Sequence, residues 1–563
     1  MSDSTNDDIL ELVHTAFEKA NIPVAKSTIR RFPGETIVVV EVNESDLAEA
    51  VVIASGLDSK LLDGFVTVKK AQKEVAKAGF KKAGSLVDPR VNDLIELLNA
   101  RSRTSEQQPS LRYVKDAAQT LNVAISRRHH LIFGRRGVGK TALMLEAKRL
   151  AEQRGAATFW MNIQTIRMLT AYDAFLTTAA RLCDVPELVH SGRTKKPLSV
   201  ERAAALRPRI RTYLDTGTVN KQQINRLIPD LQQLFQTFGR ETQDDLYLFL
   251  DDIHYLAMKQ QPAFLDMIHS ITRDNSIWIK AAGIKHQSRW FTDNPPTGLQ
   301  TGHDAAIINL DITLEQPAKA KEFLLDILRV YTDEVKLGNV FGVLSREALD
   351  RLVLASGGVP RDFLVLTATA IQAARQRSNA RTTGVQDVNE SAGKIAQIKL
   401  QELEDDAASS IGSAQARMQV LNHLRTFLLE EKQMTYFRVD FQDKENHPNE
   451  YELMQSVMDL RLIHLINASL SDEHHAGRRS EAYMLDLSQF SGTRFKHNLK
   501  VLDFTKNYLV LKSTGSAVAP RLGDSPRKLQ GILRRGSLFN LDSLTGYGRR
   551  PARARAARAT PAD

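Results

Sequence analysis

Residues Gly134-Arg135-Arg136-Gly137-Val138-Gly139-Lys140-Thr141 fill every fixed position of G-x-x-x-x-G-K-[ST]. The chemistry this spacing allows is capture of a polyphosphate. Gly134, Gly137 and Gly139 permit backbone turns closed to other residues, so that successive N–H groups point inward at phosphate oxygens. Lys140 has the reach to meet the outer phosphates. Thr141 opens a helix, where its hydroxyl can ligate Mg²⁺ while the helix N-terminus faces the anion. The loop from Gly134 to Ala142, with Arg135, Arg136 and Val138 inside it, is the candidate nucleotide-binding segment, and ATP with Mg²⁺ is the expected ligand.

A second set of groups follows roughly 110 residues later, where the apolar run Leu246-Tyr247-Leu248-Phe249-Leu250 closes on Asp251-Asp252. A buried strand ending in paired acids is costly unless the charges meet a cation, and a magnesium ion shared with Thr141 and the phosphates supplies one. Asp251 is therefore the candidate metal ligand beside Thr141. Asp252 is the candidate for polarising the attacking water, by accepting a proton or by orienting the nucleophile. This pair has the pattern known as Walker B, and the glycine loop is a P-loop.

Elements able to position these groups can be read around them. Leu131-Ile132-Phe133 delivers the chain to the loop, and a helical pattern from Ala142 to Gln153 leaves it. Further buried strands are expected at 157–163, 276–283 and 306–310, with helices at 172–182, 199–214, 220–238 and 262–273 between them. Strands separated by helices imply parallel pairing with right-handed crossovers, and such a sheet places its ligand at the strands' carboxyl ends. Helices at 318–330, 346–355, 360–377 and 385–407 follow. Between the second and third of these stands Ser356-Gly357-Gly358-Val359-Pro360-Arg361, where glycine ends one helix and proline starts the next. Arg361 thus lies in a fixed first turn, with the nucleotide as its obvious anionic partner.

Beyond this region the signals are weaker. Residues 1–70 alternate helical and extended patterns, as in a small α/β module with no catalytic constellation. Residues 414–431 and 451–460 read as amphipathic helices, and two strands at 462–466 and 482–487 follow with Arg478 and Arg479 in the loop between them. His474-His475 in that loop reads as a polar tip rather than a metal pair. The 563-residue chain has a net charge of +10, yet 520–563 holds ten Arg or Lys against three Asp, leaving +3 for all that precedes it. A bulk-charge argument for nucleic acid binding therefore applies only to the end, which reads as a disordered basic tail. Cys183 is the one cysteine, which excludes an internal disulfide, and no run of about 18 apolar residues suggests a membrane span. The acidic start MSDSTNDD lacks a signal-peptide pattern, and the expected location is the cytoplasm.

Taken in order, the glycine loop, the Leu246–Asp252 run and the Gly358-Val359-Pro360-Arg361 element resemble the AAA+ and STAND ATPases, particularly the origin-recognition initiator branch. The resemblance covers about residues 88–405. It implies a five-stranded α/β P-loop core, an α-helical lid with Arg361 as the sensor-2 arginine, and a C-terminal winged helix. The resulting layout is a small α/β module at 1–70, a helical lead-in and linker at 71–110, and the ATPase core at 111–314 with an inserted helical segment at 199–238. A lid at 315–408, a winged-helix-like domain at 411–512 and the basic tail at 513–563 complete it. Two positions depart from the AAA+ pattern. Asp252 stands where a glutamate is usual, which implies slow hydrolysis, and Lys285 or His286 would have to serve as sensor 1. Arg289 or Arg273 is the candidate arginine finger for a neighbouring subunit in a homo-oligomer. The catalytic set is therefore Lys140, Asp252 and Arg361. Two functions fit: a DNA-associated switch using the winged helix and tail, or a STAND-like scaffold ATPase that oligomerises on protein partners. Transfer of phosphate to a small molecule fits less well, because no acceptor site is evident.

Overall fold

The computed structural model describes residues 6–32, 35–58, 61, 64–70, 86–101, 111–115, 119–191, 196–217, 219–378, 380–409, 411–473, 475–490, 499–513 and 520–547. The chain divides into two compact units, Met1–Ala83 with Thr104–Arg112, and Gly84–Arg103 with Tyr113–Asp563. In the first unit, helices Asn6–Lys19 and Leu47–Leu57 accompany β1 (Val24–Phe32), β2 (Glu35–Val42) and β3 (Gly64–Lys70). Strand β2 pairs antiparallel with β1 and parallel with β3. Val13 and Phe17 of the first helix, Val38 and Val40 of β2, and Ala50 and Ala54 of the second helix form its core.

The second unit is built on β4 (His129–Phe133), β5 (Ala157–Asn162), β6 (Leu246–Asp251), β7 (Ile277–Gly283), a short hairpin β8–β9 (Phe291–Asp293, Pro296–Gly298) and β10 (Ala305–Asn309). Five of these strands form one sheet in the order β10-β4-β7-β6-β5, and every pair is parallel. Because the sheet is covered on both faces, β6 is buried along its whole length, which accounts for its unbroken apolar run. Alternate side chains point to opposite layers. Leu246, Leu248 and Leu250 join Phe175, Leu206, Leu227, Phe235 and Phe264 on one face. Tyr247 and Phe249 join Leu143, Met144 and Ala147 of helix Lys140–Gln153 on the other.

The segment expected as an insertion is part of this packing. Helices Leu198–Thr216 and Lys221–Thr242 lie on each other and on the neighbouring helices Ala171–Leu182 and Gln261–Thr272. Their buried leucines and phenylalanines complete the core over one sheet face.

Four helices, Pro317–Glu334, Arg346–Ser356, Pro360–Gln376 and Val385–Ser409, make the lid. The lead-in helix Arg90–Ala100 packs on it, with Arg375 donating to Asn92 at 2.5 Å. That helix is thus lid structure reached from the far side of the core. The expected linker residues 71–85 and 102–110 lie outside the described residues.

After the lid come helix Ile411–Arg425, β11 (Tyr436–Asp440), helices Phe441–Asn446 and Pro448–Asp459, and a hairpin of β12 (Ile463–Ser471) and β13 (Arg479–Leu485). Strand β13 pairs antiparallel with both β11 and β12. This helix–strand–helix–helix–hairpin order is winged-helix-like. The expectation of disorder from 513 onward is corrected for residues 520–547. A meander of β14 (Lys500–Thr505), β15 (Tyr508–Ser513) and β16 (Arg521–Gly523) leads into helix Pro526–Leu533, and β17 (Ser537–Leu538) then pairs in parallel with β11. The physical reason is local. Leu529, Ile532 and Leu533 recur at helical spacing and are buried, as are Phe539, Leu541 and Leu544, so a segment rich in arginine still carries an apolar face.

At the end of the sheet opposite the glycine loop, Lys280 of β7 is fully buried, with Nζ donating to Ser126 O at 2.7 Å and Arg128 O at 2.8 Å. It also lies 2.9 Å from His130 Nδ1. Burial pulls this ammonium down to about 7 from its usual 10.5. A base depressed on folding leaves the unfolded chain holding more protons between those two values, so its contribution to stability rises with pH across that window. We expect the unfolding free energy of the parent from urea titration, relative to Lys280→Met, to climb from pH 7 towards pH 10, by up to about 1.4 kcal/mol per pH unit. Parallel pH profiles of the two proteins would overturn this.

Candidate functional site

Strand β4 ends at Phe133 and the chain turns at once into the glycine loop. Gly137 and Gly139 take φ values of +84° and +101°, the left-handed region that a side chain resists. Gly139 also leads into the helix that begins at Lys140. Lys140 is buried, and its Nζ donates to Gly134 O at 2.9 Å and Arg135 O at 3.1 Å, folding the lysine back over its own loop.

Strand β7 separates β4 from β6, which puts the two functional strands about 10 Å apart at the usual strand spacing. The loop and the first helical turn cross that distance. Thr141 Oγ1 donates to Asp251 Oδ2 at 2.8 Å, so the residues at 141 and 251 meet. Asp251 Oδ1 is buried with no hydrogen-bond partner among the described residues. Burial, then the neighbouring Asp252, push Asp251 up to about 7, against the opposing pull of Thr141 and Lys140. A half-buried hydroxyl beside a buried carboxylate with one bare oxygen fits a hard divalent cation, and Thr141 and Asp251 are the residues that would hold it.

Asp252 follows with a left-handed φ of +59°, which turns its side chain out of the strand line. Burial raises its pKa, while Lys140 and Arg136 lower it. His254 was not singled out from the sequence. Its Nδ1 lies 3.8 Å from Asp252 Oδ1. Burial, then Lys140 and Arg136, pull it down to about 3, so the ring is neutral near pH 7. Its signal was available: a polar residue in the turn directly after a buried acidic strand has to face the strand-end site.

The Gly358-Val359-Pro360-Arg361 element sits directly on the loop. Pro360 starts the helix, and the Arg361 N–H donates to Gly137 O at 3.2 Å. A Cβ on Gly137 would stand 2.8 Å from Arg361 Cβ and 3.4 Å from Arg361 Cδ, so the arginine stem lies across the loop. Arg135 belongs to the loop by its backbone only. Its guanidinium is buried in the other direction, with Nε on Asp311 Oδ1 at 3.1 Å and Nη2 on Ile312 O at 3.0 Å and Gly357 O at 3.4 Å. The side chain therefore ties the loop to the lid entrance.

At the end of β7, Lys285-His286-Gln287 forms a single turn in the place where a sensor 1 was sought. His286 Nε2 lies 2.6 Å from Asp459 Oδ2, and Gln287 Nε2 donates to the same oxygen. Asp459 ends helix Pro448–Asp459, and no sequence signal could link residues so far apart. Arg289 is exposed, its backbone N–H donating to Gln261 Oε1 at 2.7 Å. Arg478 of the hairpin donates to Asp440 at 2.5 Å, and His474 lies outside the described residues. No cluster of three or more metal-ligating side chains occurs among the described residues.

Residues 70–279 match the AAA ATPase domain family. The matched segment, less than half of the chain, runs from before the glycine loop into β7 and includes both acids. No curated protein matches the chain significantly. Among solved structures, the backbone is similar to the Orc1 protein of Aeropyrum pernix in complex with DNA, at 15% identity and a TM-score of 0.32, over 70% of this chain and 88% of that one. It is similar to the RuvB Holliday junction branch migration motor of Thermotoga maritima at 13% identity and a TM-score of 0.27, over 52% and 76%. AMPPCP-bound DnaA of Aquifex aeolicus aligns at 15% identity and a TM-score of 0.23, over 56% and 72%.

Gly137 tests the seat of the lid. Gly137→Ala introduces a Cβ into both a left-handed backbone and the Arg361 stem, at a conformational cost of about 1–2 kcal/mol before any clash. We expect a lower melting temperature and at least tenfold weaker nucleotide binding by calorimetry. Unchanged values for both would show that the lid is not seated on the loop.

Proposed function

We propose that this protein is an ATP-binding and slowly ATP-hydrolysing molecular switch. The single observation that carries this reading is the 2.8 Å meeting of Thr141 and Asp251 at the mouth of the glycine loop. Lys140 leaves its two carbonyl partners to meet the outer phosphates, and backbone N–H groups from Gly134 to Ala142 line the rest. Thr141 and Asp251 would hold Mg²⁺, which would neutralise phosphate charge. Asp252, raised by burial, orients the water or takes its proton, with neutral His254 beside it. Arg361, on the lid side of the loop, meets the γ-phosphate and closes the lid. Arg289 is exposed and available to a neighbouring copy. No described helix is long and apolar enough to cross a membrane; we place the protein in the cytoplasm.

Lys140→Ala is expected to abolish nucleotide binding in a fluorescent-nucleotide titration, and parental affinity in this variant would refute the assignment. Asp252→Asn should keep binding and lower turnover by about 10²-fold or more, the scale of a lost general base. Equal phosphate release from the two proteins would remove Asp252 from the chemistry.

Two readings of what the switch acts on have separate support. The winged-helix-like order and the net positive end favour DNA. The helix that would enter a groove, Pro448–Asp459, is acidic, and its Met454, Val457, Met458 and Asp459 are buried, which favours assembly on protein partners. Residues 548–563 hold five arginines against one aspartate and are the segment to delete, since 520–547 are folded. On the DNA reading, a chain ending at 547 still retards duplex DNA at physiological salt in an ATP-dependent way. Loss of all retardation with those arginines, or indifference to ATP, leaves the protein-partner reading.

A further inference from the structure

Asp459 is an acid where both helix and burial disfavour one. It is the last residue of helix Pro448–Asp459, at the end whose exposed carbonyls repel negative charge. The residue is also buried, at 5% of its free surface. Desolvating a carboxylate there is offset by the two donors on Oδ2, His286 Nε2 and Gln287 Nε2. The second oxygen, Oδ1, is buried with no hydrogen-bond partner among the described residues. Such a half-satisfied carboxylate is poorly explained as fold stabilisation, because an apolar residue of similar size would avoid the cost.

The position of its partners gives it another use. His286 and Gln287 follow β7, the strand between the one that bears the glycine loop and the one that bears the paired acids. Asp459 acts electrostatically on Lys140, in company with Asp251, Asp252 and Asp311. A carboxylate from the C-terminal domain thus bonds to the turn at the end of the middle strand and acts electrostatically on Lys140, and it carries the same sign of charge as a phosphate.

We propose that Asp459 is an internal competitor of the γ-phosphate: it occupies His286 and Gln287, and a nucleoside triphosphate, but not a diphosphate, displaces it and releases the end of its helix from the ATPase core. This rests on the nucleotide reading above and adds the discrimination between tri- and diphosphate. Once His286 and Gln287 turn to phosphate oxygens, Asp459 has neither of its donors, and like-charge repulsion adds to the cost of keeping it buried.

The same domain stays fixed to the lid through other contacts. Arg461 Nε lies 3.0 Å from Asp362 Oδ2, and Asn467 Nδ2 donates to Glu315 at 2.7 Å. His464, bonded to Asp486 at 2.6 Å, fills the space where a side chain on Gly357 would sit. In the meander, the Lys506 N–H donates to Asp350 of the lid at 3.0 Å. The C-terminal domain therefore stays attached to the lid when the end of its helix leaves the core.

The test uses the full chain, with fluorescent ATP and ADP analogues titrated into parent, Asp459→Asn and Asp459→Glu. We expect Asp459→Asn to raise the ATP-to-ADP affinity ratio by about tenfold, chiefly through ATP, the scale of one relieved like-charge contact. Asp459→Glu, which keeps the charge, should stay close to the parental ratio. Hydrogen exchange over 453–459 and 284–288 in the parent should rise with a non-hydrolysable ATP analogue and not with ADP. Binding of both nucleotides with the same ratio in all three proteins, or exchange that ignores the γ-phosphate, overturns the proposal while leaving the nucleotide reading intact. Failure of the parent to bind either nucleotide overturns both, and is recognisable as such.

Discussion

The constraint on which the P-loop core depends is the burial of Asp251 against Thr141. A carboxylate at the end of a fully buried strand is out of water, and the hydroxyl across from it can satisfy one oxygen only. Burial and the neighbouring Asp252 accordingly push Asp251 up to about 7. Geometry makes the conflict unavoidable. Strand β6 has to run through the middle of the sheet to pack Leu248 and Phe249 on its two faces, and wherever it ends its next residues face the glycine loop. The fold thus sets two buried acids opposite a turn made of N–H groups, an arrangement suited to a cation and an anion bound together.

The lid is coupled to this arrangement by contacts on both sides of the loop. Arg135 passes beneath, from the loop to Asp311, Ile312 and Gly357; Arg361 lies over Gly137 from above. Neither contact is spare. Arg135 is buried, so it is committed to the strap, and Gly137 has no side chain because the arginine stem takes its place. Any change in loop shape is therefore felt in the first turn of helix Pro360–Gln376 without a relay through intervening residues.

Much of this was legible in the sequence because it is written in local patterns. The glycine spacing, the apolar run closing on two acids, and the Gly-Val-Pro-Arg turn each specify a backbone shape within a few residues, and the strands and helices between them follow from periodicity. The strand order, which sets β7 between β4 and β6, was not written locally. Nor were the residues that meet across long separations, such as Asp459 with His286, or helix Arg90–Ala100 with the lid. His254 is marked locally only by its place in the turn directly after the buried acidic strand. The C-terminal segment misled for a different reason. Arginine, glycine and proline set its average composition, whereas folding is decided by where Leu529, Ile532, Leu533, Phe539, Leu541 and Leu544 fall.

Strand β17 is two residues long, yet it closes one edge of the winged-helix-like sheet by pairing with Phe437 and Arg438 of β11. An open edge invites addition of a strand from another chain, and here the chain's own end fills that place. During synthesis β11 emerges well before Ser537 and Leu538, so the nascent domain spends an interval with that edge bare. A ribosome stalled in this interval, or a protease that clips the linkage after β16, would leave a surface prone to pairing with a second molecule.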